Sequence, residues 1–106
     1  MKNVVTANEE LNRWCGTEGI NYYEGIEALG FLFKYAVPKT AKAGYEILIS
    51  CPCGTDGVTR YNVMLLKEDA HPYEYSTGIM ERLEDALFWA IWEVIHGWDL
   101  LYKMVS

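Results

Sequence analysis

Basic residues are scarce in this chain. Nine Lys and Arg stand against 15 Asp and Glu in 106 residues, for a formal charge of −6 at pH 7. A protein that grips a phosphate backbone needs a basic footprint, so direct nucleic-acid binding is not expected. Long apolar runs are also missing. Nothing approaches the roughly 18 apolar residues of a membrane span, and no charged-then-apolar leader opens the sequence. Three cysteines cannot all pair within one monomer, which points to a reducing, cytoplasmic setting without membrane contact. Low-complexity segments and solenoid repeats are absent as well. What is present is apolar mass: 51% of residues are hydrophobic and 14% aromatic. That excludes disorder, and the length fits one domain over 1–106.

The punctuation of the chain predicts an α+β fold, with a short antiparallel sheet of two to three strands packed with N-terminal and C-terminal helices. Thr6-Ala7-Asn8-Glu9 reads as a capping box. The helix it opens runs to about Cys15, and Gly16 is placed to end it. Tyr22 to Val37 has helical periodicity, with Tyr22, Ile26, Leu29, Phe33 and Val37 on one stripe and Pro38 as the stop. Tyr45–Cys51 and Tyr61–Lys67 read as strands joined through the turn Gly54-Thr55-Asp56-Gly57. Both are apolar on two faces, which predicts a sheet covered on both sides. Tyr73–Thr77 alternates as a third strand. Arg82–His96 is the strongest helix, with Glu84 and Asp85 favourable in its first turn and Gly97 at its end. The tail Trp98–Val105 reads as a short helix or a strand.

On a helical wheel, Leu83, Leu87, Ala90, Ile91 and Val94 form the face expected to enter the core. Phe88, Trp89 and Trp92 fall on the opposite side, among Glu81, Arg82, Asp85 and His96. Two explanations stay open. The N-terminal helix or the tail covers these rings, or they form a partner surface, since aromatics are enriched at interface hot spots.

The chemical motifs are weak. Cys51-Pro52-Cys53 has one spacer residue, short of the two to four in a zinc knuckle, so buried inert thiols are expected there. His71 and His96 lack the partners of a nucleophile pair. Gly54-Thr55-Asp56-Gly57 has no lysine and no helix behind it, so it is no phosphate cradle. No cofactor, no metal and no enzymatic activity are expected. Two acidic clusters, Glu81 with Glu84 and Asp85, and Glu68-Asp69 near Glu74, could meet a basic protein surface.

The order of elements carries a resemblance. A helix containing Glu24-Gly25-Ile26-Glu27-Ala28-Leu29 precedes a strand pair. Met80-Glu81-Arg82-Leu83-Glu84-Asp85-Ala86-Leu87 then opens a long helix that continues through Ala90-Ile91. From about Glu10 to Gly97 this resembles the small phage-encoded proteins of the phage ABA sandwich domain. The resemblance implies a central antiparallel sheet between helices and a phage origin, but no catalytic residues. It further implies a small acidic protein, similar to anti-CRISPR inhibitors, that blocks a host immune protein, itself a nucleic-acid-binding effector, in the host cytoplasm. The candidate contact residues are Phe88, Trp89, Trp92 and His96 as the patch and Glu81 and Asp85 as its rim. Glu68 and Asp69 take that role if the patch is a homodimer seam. Two alternatives remain: an oligomeric sponge for a nucleotide immune signal, and a homodimeric accessory protein of structural role.

Overall fold

A computed structural model describes residues 3–52, 54–67 and 73–105, with backbone alone at 73–74 and 97–105. The order of elements is α1 (Val4–Cys15), α2 (Ala28–Phe31), a π-turn (Leu32–Ala36), α3 (Val37–Lys42), β1 (Glu46–Ser50), β2 (Asn62–Lys67), β3 (Tyr73–Ser76) and α4 (Leu83–Val105). The fold is α+β, and the sheet is antiparallel in the order β1-β2-β3. Leu48 pairs with Met64, and Met64 with Ser76.

Helix α1 begins a turn earlier than the capping box suggests. Asn3 is the cap, its Oδ1 accepting the Thr6 N–H at 3.1 Å, because an asparagine side chain satisfies an orphan amide as well as threonine does. Gly16 ends the helix with φ +70°, as expected. The second predicted helix is displaced. Asn21 Oδ1 accepts the N–H groups of Tyr23 and Glu24, so that residues 21–27 form a turn. The helix starts at Ala28 and passes straight through Pro38. In the π-turn the Val37 N–H donates to the Leu32 carbonyl. The wider loop makes room for a ring that would clash in an α-ladder. This shift rotates the buried stripe onto Ala28, Leu32, Ala36 and Thr40, leaving Ile26 and Phe33 on the surface.

Helix α4 is the centre of the molecule. It packs against α1, α2, the π-turn, α3, β2 and β3, and no side chain from Leu83 to Ile95 is exposed. Ala86, Leu87, Phe88, Ala90 and Ile91 are sealed with Leu11, Tyr22, Leu32, Val63 and Leu65. Burying each large apolar side chain contributes roughly 1.5–3 kcal/mol. The helix also continues through Gly97 to Val105. An interior glycine costs about 1 kcal/mol, too little to stop a strongly apolar helix. The tail is thus part of α4, neither a separate helix nor a strand.

The sheet departs from the two-sided expectation. Ile47, Val63, Leu65 and Tyr75 lie on the core side. Leu48, Met64 and Leu66 point the other way and lie outside the core cluster, with Leu48 40% exposed. Apolar residues on both faces of a strand therefore did not mean cover on both faces here.

Candidate partner-binding surface

The aromatic side of α4 is built from one stripe. Arg82, Asp85, Trp89, Trp92 and His96 follow a three-four spacing that stacks them along one line of the helix. The rings touch in series. Phe88 and Trp89 are 4.9 Å apart, Trp89 and Trp92 5.6 Å, and Trp92 and His96 5.0 Å. The first two pairs meet edge to face, the arrangement the aromatic quadrupole favours.

This stripe is closed by the protein's own chain. Tyr23 lies edge-on to Phe88 at 5.0 Å and to Trp89 at 6.3 Å. Arg82 donates to the Tyr23 carbonyl at 2.7 Å, and its guanidinium sits 4.9 Å over the Tyr23 ring. At the far end the His96 imidazole meets the Glu10 carboxylate of α1. Burial pushes the Tyr23 phenol upward in pKa, and a hydrogen bond with Asp85 pushes it the same way.

The expectation of three outward-facing rings is corrected. Phe88 is fully buried, so it offers nothing to a partner. Trp89 and Trp92 are half-buried and packed against the core. The wheel could not show that α1 and the turn after it pack on that side of α4. His96 and Glu81 stay exposed, and Asp85 is half-buried behind Tyr23. Glu68 and Asp69 lie outside the described residues, as do Cys53 and His71. Cys51 is exposed rather than buried, contrary to expectation, whereas Cys15 is half-buried. Burial raises the Cys15 thiol's pKa. Among the described residues, no three His, Cys, Asp or Glu side chains gather closely enough to hold a metal, and no helix is long and apolar enough to cross a membrane.

The covering turn is held by a polar network that the sequence reading missed. Asn12 Nδ2 donates to the carbonyls of Asn8 and Ile20, and its Oδ1 accepts from the Thr17 hydroxyl and the Ile20 N–H. Asn8 Nδ2 donates to the Ile20 carbonyl, and Asn8 Oδ1 accepts the Tyr22 N–H. The Thr17 hydroxyl meets the Tyr22 hydroxyl at 2.7 Å. The legible signal was two asparagines four residues apart on α1, ahead of a glycine-containing loop. Such a pair can satisfy a loop backbone that has no secondary structure of its own.

With the turn fixed, its outer side becomes the most unusual surface of the protein. Ile26 is 99% exposed and Val5 70%. Glu9 on α1, Glu24 and Glu27 on the turn, and Glu18 on the loop between them are all exposed. An open cleft of about 350 Å³ lies between the two, lined by Val4, Val5, Asn8, Glu9, Asn21 and Glu24. The site is therefore acidic with apolar points, and it lies on the outer side of the element that seals the tryptophans. No protein-family model, no curated protein and no solved structure matches this chain.

Proposed function

We propose that this chain is a small binding protein whose acidic turn takes a basic surface of another protein. The observation that carries the reading is Ile26. An isoleucine that is 99% exposed, set between the exposed carboxylates Glu24 and Glu27, contributes nothing to the core. Burying it against a partner would gain about 1.5–3 kcal/mol, and the surrounding carboxylates would steer a cationic surface onto it. The resemblance to the phage ABA sandwich proteins supports the finer reading. The partner is then a host defence protein with a basic nucleic-acid groove, and this chain is a stoichiometric, non-catalytic inhibitor that occupies it.

The test is a comparison of variants. The wild-type chain, Ile26→Asp, and Glu24→Lys with Glu27→Lys are each immobilised in host extract at low and moderate salt. The reading expects one dominant basic protein on the wild type, lost from both variants and weakened by salt. If all three chains retain the same proteins, the acidic turn is not the contact.

A further inference from the structure

Strand β1 is an edge of the sheet, and among the described residues no strand pairs with its free side. Edges are ordinarily blunted by lysine, proline, a bulge or brevity. β1 is five residues long and has no lysine, proline or bulge: its register against β2 is unbroken from Glu46↔Leu66 to Ser50↔Asn62.

The direction of the free backbone groups follows from the hydrogen bonds across the sheet. Tyr61 exchanges both backbone bonds with Met80, at 2.6 and 2.8 Å, and the Val63 carbonyl accepts the Thr77 N–H at 3.0 Å. Tyr61 and Val63 therefore turn their polar groups toward the β3 side. The alternate residues Asn62, Met64 and Leu66 turn theirs toward β1, where they face Ser50, Leu48 and Glu46. By the same alternation, Ile47 and Ile49 point their N–H and C=O away from β2, into the open edge.

We propose that a second copy of this chain occupies that edge, through antiparallel β1–β1 pairing with the two-fold axis at Leu48. In this register Ile47 of each chain meets Ile49 of the other, and the outward groups form four backbone hydrogen bonds. Leu48 meets its own copy in a non-hydrogen-bonded pair, where side chains approach most closely, at roughly 4.5–5.5 Å between Cβ atoms. Glu46 falls opposite Ser50, so no carboxylate faces another despite the net charge of −6. The pairing covers Leu48 and Ile49, each 40% exposed in one chain. It creates a six-stranded sheet whose open face carries Leu48, Met64 and Leu66 from both copies. Self-complementarity favours a second copy over an unrelated extended peptide, because one strand supplies both halves of the match.

Light scattering over about 1–300 µM, the range in which a short interface dissociates, tests the seam. The mass should rise toward twice 12.2 kDa. Leu48→Lys places two ammonium groups on the axis and should hold the mass at one chain, with unchanged far-UV circular dichroism. In a Cys51→Ser, Cys53→Ser background, Leu48→Cys should cross-link to a disulfide dimer on mild oxidation. A wild-type chain that stays monomeric throughout overturns the proposal, including one that instead accepts an added extended peptide. So does a Leu48→Lys chain that still dimerises. Neither result bears on the acidic turn, which lies on α1 and residues 21–27.

Discussion

Arg82 reaches across 59 positions of sequence to the main-chain carbonyl of Tyr23, at 2.7 Å, while its guanidinium sits 4.9 Å over the ring of the same residue. This double contact ties the turn onto the start of α4, where the Tyr23 ring packs on the buried Phe88 and on the half-buried Trp89.

Arg82→Ala should therefore destabilise the fold by about 1–2 kcal/mol, the sum of a partly exposed cation–π contact and a charge-assisted hydrogen bond. Arg82→Lys should recover less than half, since an ammonium lacks the planar fork. Urea denaturation gives the energies. Tryptophan emission of Arg82→Ala should shift to the red as the turn loosens over Trp89; an unshifted spectrum would mean that Tyr23 holds the turn without help.

Asn12 is the hub of the network under the turn. Asn12→Ala removes four hydrogen bonds and strands the Ile20 N–H, while the Thr17 hydroxyl keeps its bond with Tyr22, at a cost of about 2–4 kcal/mol. Asn12→Asp keeps the accepting oxygen and, at acidic pH where the carboxyl is protonated, offers one O–H donor in place of two N–H donors, so its stability there should lie between those of the wild type and the alanine variant. Amide hydrogen exchange at residues 17–22 should accelerate in both variants. Exchange that stays at the wild-type rate would show that the turn is anchored elsewhere.

Phe88 separates core from surface directly. As a sealed side chain it should cost about 3–5 kcal/mol on truncation to alanine. A surface aromatic would change stability by roughly 0.5 kcal/mol or less. Chemical denaturation of Phe88→Ala decides between them, and a small loss would return the ring to the partner surface.

The Tyr22 phenol is pushed up to about 12, first by burial, while the Thr17 hydroxyl opposes that rise. The folded state thus favours the protonated phenol. The resulting stability is complete below the ordinary tyrosine pKa near 10 and is lost as pH rises toward 12. Tyr23 and Tyr75 are raised as well and add in the same direction. Stability measured at pH 9 and pH 12 should fall more steeply for the wild type than for Tyr22→Phe. Parallel curves would remove Tyr22 as a cause.

The accuracy of the sequence reading followed the range of the forces involved. Gly16 as a helix end, the three strands, and Leu87, Ala90 and Ile91 as a core face are local matters of periodicity and turn chemistry, and the structure agrees with each. Ile26 was assigned to a buried stripe because helical phase was carried back from Leu29. The Asn21 turn and the π-turn before Pro38 both break that phase. Periodicity puts Phe88, Trp89 and Trp92 opposite the apolar stripe of α4, but it does not choose between cover by the N-terminal helix, cover by the tail and a partner surface. Two asparagines and an arginine distant in sequence bring the covering turn there.

The amino-acid sequence by itself determined the α+β class, the acidic balance and the apolar stripes, because propensity, capping and charge act within a few residues of one another. The tertiary structure alone decided which apolar residues stay wet. That outcome depends on which segments meet across the whole chain, as Tyr23 meets Arg82 and Glu10 meets His96, and no local pattern encodes those meetings.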